Sequence, residues 1–60
     1  MTIKTLTEMY HKKHLEIWDN ETVVWNGLPD FQNNWFEFIS KKQILDYKYI
    51  GSKIIILVSY

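Results

Sequence analysis

The sequence predicts an α+β fold, with one short N-terminal helix packed on a small antiparallel β-sheet of three to five strands. Apolar residues recur at i, i+3 and i+4 near the N-terminus, which indicates a helix. Two later segments, 15–26 and 47–58, each contain two strand-forming runs around turn-forming residues, which predicts two hairpins. A chain of 60 residues is short enough to form a single domain, 1–60, and its core alone gives marginal stability.

The helix is predicted from the segment "TLTEMYHKK". Thr5 is followed three residues later by Glu8, the spacing of a capping box. We expect the helix to run from Leu6 to Lys13, and because so short a helix is not stable alone, its apolar face must pack on the sheet. The residues of that face are Leu6, Met9 and Tyr10.

The first hairpin, in "HLEIWDNETVVWN", has a tryptophan on each strand. Leu15 and Ile17 point to one side of the sheet, and Trp18 points to the other. On the second strand the alternation leaves open whether the side of Trp25 or the side of Val24 faces the core. If Leu15 and Ile17 face the core, Trp18 faces away from it.

The segment that joins the hairpins is aromatic and ambiguous. Asn26-Gly27 predicts a turn, because both residues tolerate positive φ, and Pro29 excludes a central strand in the loop that follows. The aromatic part of 35–45 fits either a strand or a buried helical turn. Ser40 is a candidate cap for one helical turn in "SKKQIL".

The last strand is predicted in "KIIILVSY", after a tight turn at Gly51-Ser52. Its unbroken apolar run predicts a central strand that is buried on both faces. The run is too short to span a bilayer, and the N-terminus lacks the apolar core of a signal peptide. We therefore expect a cytoplasmic protein with no membrane partner.

Composition argues against nucleic-acid binding and against disulfides. The formal net charge is zero, all basic residues are Lys, and there is no Cys. A nucleic-acid binder normally carries a basic excess, and Arg is the usual bidentate reader of guanine and phosphate. The alternative is a single-strand-binding surface in which lysines lie beside stacking aromatics. Its candidate residues are Lys12, Lys13, Lys41 and Lys42.

The sequence contains no pattern of an active site or a metal site. His11 and His14 are three residues apart, but two lysines separate them and no third ligand lies nearby. The carboxylates are scattered, and the serines lack the glycines of a nucleophile elbow. With Gly27 and Gly51 as its only glycines, the chain has no phosphate-binding loop. We expect neither enzymatic activity nor a cofactor nor a bound metal.

The surplus of aromatic residues predicts a protein-binding surface. One short helix covers one sheet face, so it cannot bury both the Trp18 side of the sheet and the aromatic segment. Trp, Tyr and Phe concentrate at the centres of interfaces, and self-association would stabilise a small chain. We expect a homodimer and a protein target, although the same aromatics could instead surround one small core. The predicted binding residues are Trp18, Glu16, Glu21, Asp30, Trp35 and Phe36.

The arrangement "TLTEMYHKKHLEIWDNETVVWNG", followed by "ILDYKYIGSKIIILV", resembles small uncharacterised phage and prophage proteins of low-GC Gram-positive hosts. Members of that class include anti-defence inhibitors of the anti-CRISPR and anti-Hachiman types. The resemblance implies a non-enzymatic, phage-encoded protein that inhibits a host defence protein by steric occlusion in the host cytoplasm. It implies no site residues. The alternatives are a small nucleic-acid-associated phage protein and a structural accessory protein.

Overall fold

Two helices and four strands follow one another along the chain in the computed structural model, which describes residues 1–10 and 12–58. The elements are α1 (Ile3–Met9), β1 (His14–Asp19), β2 (Thr22–Gly27), α2 (Asn34–Ser40), β3 (Ile44–Ile50) and β4 (Lys53–Val58). This arrangement confirms the predicted α+β fold and its N-terminal helix, and it adds a second helix.

The four strands form one mixed sheet in the order β2-β1-β4-β3. Each hairpin pairs antiparallel within itself, but the central strands β1 and β4 run parallel. The prediction of a purely antiparallel sheet is therefore wrong. The cause is the crossover through α2, which carries the chain from the β2 edge of the sheet to the β3 edge. The second hairpin therefore pairs with the first through β4 and β1, which run in the same direction.

Helix α1 begins three residues before the predicted start and ends at Met9. Its N-cap is Thr2, whose side chain accepts a hydrogen bond from the Thr5 amide at 3.3 Å, so the predicted cap at Thr5 is wrong. The start is fixed by the sheet, because the Ile44 amide donates to the carbonyl of Met1 at 2.8 Å. The predicted continuation to Lys13 is wrong, because Tyr10 is the C-cap of the helix and Lys12 has a φ of +57°; His11 lies outside the described residues.

Helix α2 resolves the ambiguous aromatic segment. Asn33 is the N-cap, and its side-chain oxygen accepts from the amides of Trp35 and Phe36 at 2.9 and 3.1 Å. Ser40 ends this helix and donates to the Glu37 carbonyl at 2.6 Å, so the predicted helical turn beginning at Ser40 is wrong. No helix among the described residues is long and apolar enough to cross a membrane.

The strand boundaries follow the pairing between strands. Asn26 and Gly27 lie in β2, where Gly27 pairs with Leu15, so the predicted turn at this dipeptide is wrong and the chain turns in the following loop. The second hairpin is confirmed, and its first strand starts at Ile44. The last two residues of the predicted final strand, Ser59 and Tyr60, lie outside the described residues.

Both helices pack on the same face of the sheet, where one cluster of buried side chains forms the core. β4 is central, as predicted, but only Ile54, Ile56 and Val58 are buried; Ile55 is half-buried and Leu57 is 43% exposed. The prediction that both faces of β4 are buried is wrong, because both helices cover the same side. The core residues are Ile3, Leu6, Leu15, Ile17, Phe36, Ile39, Ile54, Ile56 and Val58.

A bulge in the first hairpin decides which side of β2 faces inward. Trp25 is opposite Ile17 and Val23 is opposite Trp18, so Val24 is the additional residue between them. Trp25 and Val24 both pack against the core, and the Trp25 ring lies 4.8 Å from that of Phe36. The bulge thus lets both Trp25 and Val24 pack toward the core, and it leaves Val23 on the sheet face that points away from the helices.

Candidate protein-binding surface

No segment among residues 1–10 and 12–58 covers the sheet face that points away from the helices, and we call it the open face. Side chains reach it because residues alternate along each strand and residues opposite one another share a face. In β1, Trp18 alternates with the buried Ile17. The open face comprises His14, Glu16, Trp18, Val23, Asn26, Asp46, Lys48, Ile50, Lys53, Ile55 and Leu57.

An apolar row crosses the open face at right angles to the strands. Trp18 is opposite Val23 on one side and opposite Leu57 on the other. Val23 and Leu57 are 41% and 43% exposed, and Trp18 is half-buried. Ile55, two residues before Leu57, extends the row along β4. These side chains form a continuous apolar strip on a surface that no part of the described chain covers.

A polar cluster holds the Trp18 indole against the sheet. The indole N–H donates to Glu16 Oε2 at 2.8 Å, and Lys53 Nζ lies 3.1 Å from Glu16 Oε1. The hydrogen bond from Trp18, and then that from Lys53, lowers the pKa of the Glu16 carboxyl, because both donors favour the ionised form. The cluster therefore fixes the orientation of the largest apolar side chain on the open face.

A shallow depression lies at the β3 end of the open face. Its apolar walls come from Leu57, Ile55 and Ile50, and its charged walls from Asp46 and Lys48. Asp46 is opposite Leu57, and Lys48 is opposite Ile55, so each charge flanks the apolar strip. Together with Glu16 and Lys53, these residues give the open face two negative and two positive charges.

Two of the predicted binding residues, Glu16 and Trp18, lie together on the open face. Glu21 is exposed in the turn between β1 and β2. Asp30 is exposed in the loop before α2, where its carboxylate accepts from the Gln32 amide at 3.1 Å. Neither lies within the row of open-face side chains, so Glu16 is the only one of the predicted acidic binding residues on this face.

Trp35 and Phe36 belong to the helical layer. Phe36 is 0% exposed and contacts Trp25 and Phe31, so the prediction that it contacts a partner is wrong. A helix, unlike a strand, turns neighbouring residues about 100° apart, which buries Phe36 while Trp35 is 48% exposed. Trp35 stacks on Phe38 at 5.7 Å. The predicted single aromatic surface is therefore divided between the two layers.

The four candidate nucleic-acid-binding lysines do not converge. Lys12 and Lys13 precede β1, while Lys41 and Lys42 precede β3. The start of β1 lies beside the end of β3, because β1 is parallel and β3 antiparallel to β4. The two pairs therefore lie at opposite ends of the sheet, about 17–20 Å apart for strands of this length.

The polar residues of the described chain, on the open face and elsewhere, show no metal-binding grouping. No three His, Cys, Asp or Glu side chains are close enough to hold a metal ion among residues 1–10 and 12–58. His14 makes a hydrogen bond with Asn26, and His11 lies outside the described residues. Asp19 is buried at the end of β1, and its Oδ1 has no hydrogen-bond partner in the described structure.

Sequence reasoning missed the contribution of the second hairpin to the surface. Leu57, Ile55 and Val23 were not predicted as binding residues, because "IIILV" indicates burial and the bulge that exposes Val23 has no distinct sequence pattern. One feature of the sequence could have indicated this exposure. A chain with few helical residues can cover only one face of its sheet, which leaves alternate residues of every central strand exposed.

Comparison with known proteins adds no family to these observations. No protein-family model, curated protein or solved structure matches the chain. The functional conclusion therefore rests on the open face itself.

Proposed function

We propose that the protein is a non-enzymatic protein-binding module whose binding surface is the open face. The observation that carries the proposal is the uncovered row of Val23, Trp18 and Leu57 at the centre of that face. Apolar and aromatic side chains at the centre of a patch, with polar groups around them, are typical of protein interfaces. The ordered Trp18 indole loses little conformational freedom on binding, which favours its use as an anchor.

The charges around the row favour a protein over a polyanion. Glu16 and Asp46 balance Lys48 and Lys53, so the open face offers no net positive field to a phosphate backbone or an anionic lipid surface. A partner that fits has an apolar centre and charges of both signs at its margin. We propose that this partner is a host protein.

The resemblance to phage proteins supports a specific version of this proposal. The module would act in the cytoplasm of a host cell, bind a defence protein and block it by steric occlusion. Such inhibition needs no reacting group on the module, because it depends on how much of the target surface the module covers. It also predicts that inhibition is complete when one module is bound for each target site.

A pair of matched substitutions tests the binding surface. Leu57→Lys places a charge in the middle of the apolar row, where its desolvation on binding is costly. Leu28→Lys is the control, because Leu28 is 58% exposed in the loop before α2, outside the open face. We expect both variants to fold, since neither side chain lies in the core.

The assay is titration calorimetry with a purified partner, identified by its co-purification with the wild-type chain. We expect stoichiometric binding by the wild type and by Leu28→Lys, and at least a tenfold loss of affinity for Leu57→Lys. Equal affinities of the two variants would place the binding surface elsewhere. A partner that does not bind when both proteins are pure would refute the protein-binding function.

A further inference from the structure

The two edges of the sheet differ in how far they are covered. At the β2 edge, the Trp35 indole donates to the Val24 carbonyl at 2.8 Å and so occupies a backbone acceptor. At the β3 edge, the N-terminal segment reaches only the start of the strand, where Thr2 pairs with Gln43. The remainder of β3, from Leu45 to Ile50, is an edge with exposed side chains and no covering segment in the described structure.

The backbone of this edge is oriented for a further strand. β3 and β4 are joined by the two-residue turn Gly51-Ser52, so the closing pair of Ile50 and Lys53 is hydrogen-bonded within the hairpin. Hydrogen-bonded and non-hydrogen-bonded pairs alternate along an antiparallel ladder. The backbone N–H and C=O groups of Tyr49 and Tyr47 therefore point away from β4. The Tyr47 amide agrees with this orientation, because it donates to the side chain of Asp46 at 2.9 Å and not to β4; a pairing strand must displace this bond.

We infer that a second copy of the chain pairs with this edge, with β3 antiparallel to β3 about a two-fold axis at Tyr47. Residues opposite one another in an antiparallel pair point to the same face. A symmetric pair must therefore place one residue opposite its own copy. Tyr47 is the middle residue of β3, and the paired segment of five residues, 45–49, stays clear of the N-terminal segment.

The charges of β3 select this axis. With Tyr47 at the centre, Asp46 of each copy lies opposite Lys48 of the other, which gives two symmetric ion pairs. Moving the axis by one residue places Asp46 opposite Asp46 or Lys48 opposite Lys48, and like charges directly opposite are destabilising. Both residues are at non-hydrogen-bonded positions of the new pair, where Cα atoms approach to about 4.5 Å and side chains are closest.

The apolar side chains at this edge lie at the ends of the paired segment. Leu45 is 68% exposed and Tyr49 is 45% exposed. A bulge between Ile44 and Asp46 takes Leu45 out of the regular alternation. The register is therefore set by the charged pairs beside Tyr47. The dimer thus covers apolar surface at the edge and leaves the row of Val23, Trp18 and Leu57 free.

The dimer has a consequence for the binding surface. A two-fold axis perpendicular to the sheet keeps the open faces of both copies on the same side of one continuous eight-stranded sheet. Two partner-binding surfaces would then lie next to each other. Linked sites of this kind bind a target with two copies of its epitope more tightly than one site does.

The test is a charge exchange read by light scattering over a concentration series. We expect a wild-type mass of twice the 7.3 kDa chain and half that mass for Asp46→Lys and for Lys48→Asp. The double variant Asp46→Lys/Lys48→Asp restores both ion pairs with reversed signs, so we expect it to be a dimer again. Circular dichroism of each variant shows whether the fold is kept.

Tyr47→Pro provides a test that is independent of charge. Proline is compatible with an edge strand when its missing N–H faces outward, so the chain should fold and remain a monomer. A monomeric wild type at every concentration would overturn the dimer. Single variants that stay dimeric, a double variant that stays monomeric, or a dimeric Tyr47→Pro would each overturn this register.

Discussion

At Gly51 the chain turns from β3 into β4 with a φ of +61°, a conformation that side chains disfavour. A Cβ at Gly51 would have open space around it, and so would one at Gly27, so the two glycines differ in backbone conformation and not in steric room. Alanine substitutions at Gly51 and Gly27 therefore separate the free-energy cost of an unfavourable backbone conformation from the cost of steric overlap.

We predict that Gly51→Ala lowers the free energy of unfolding by about 1–2 kcal/mol, the cost of placing an L-residue in the left-handed region. Gly27→Ala should leave stability unchanged or raise it slightly, because its φ is not in that region. Urea unfolding of both variants checks the difference. Equal destabilisation would show that the conformation at Gly51 does not determine the cost.

Glu16 makes stability depend on pH. Its pKa is lowered from the ordinary value of 4.5, first by the Trp18 hydrogen bond and then by Lys53. The stabilisation is therefore complete above the pKa of the unfolded chain and is lost as the pH falls through the lower pKa of the folded chain. We predict that Glu16→Gln is less stable than the wild type at neutral pH and loses less stability on acidification.

Urea unfolding at a series of pH values from neutral to below 4.5 measures this difference. Glu21→Gln is the matched control, since Glu21 is exposed in the turn between β1 and β2. The free energy of unfolding of Glu21→Gln should fall with decreasing pH in the same way as that of the wild type. If Glu16→Gln and the wild type lose stability in parallel, the contacts of Glu16 do not stabilise the fold.

At the scale of the elements, β4 distinguishes the two faces of the sheet. Ile56 is 0% exposed in the core, while its neighbour Ile55 is half-buried on the open face. We predict that Ile56→Val lowers the free energy of unfolding by about 0.5–1.5 kcal/mol, the usual cost of removing one buried methylene. Ile55→Val should change it by less than about 0.5 kcal/mol. Equal losses in urea unfolding would mean that the open face is covered in solution.

The contact between α2 and β2 is the second test at this scale. Trp35→Phe keeps an aromatic ring beside Phe38 but removes the hydrogen bond to the Val24 carbonyl. We predict a loss of about 0.5–1.5 kcal/mol in the free energy of unfolding, the net contribution of one such bond. An unchanged free energy would show that this bond does not hold the helix to the strand edge.

For the whole molecule, the mixed sheet predicts a gradient of local stability. β1 and β4 are central and contribute the buried sheet residues, whereas β2 and β3 are edges. We predict that amide hydrogen exchange is slowest in β1 and β4 and faster at the β3 edge. In the proposed dimer, protection of the Tyr49 amide should rise with protein concentration. Protection of Tyr49 that is independent of concentration would contradict pairing at this edge.

Much of the fold follows from local patterns in the sequence. The alternation around Ile17 predicts the first hairpin and the outward direction of Trp18, and the turn glycine Gly51 predicts the second. The candidate surface was only partly predictable. Trp18 and Glu16 follow from alternation, but Leu57 lies in an apolar run that has the same appearance whether one face is buried or two.

The α+β class and the two hairpins follow from local sequence, because each depends on the order of residues within a short segment. The tertiary structure decided the parallel pairing of β1 with β4, the burial of Phe36 and the exposure of Leu57. The physical reason is that side-chain alternation has the same period in parallel and antiparallel strands. Which partner a strand has, and which face the helices cover, are properties of elements far apart along the chain.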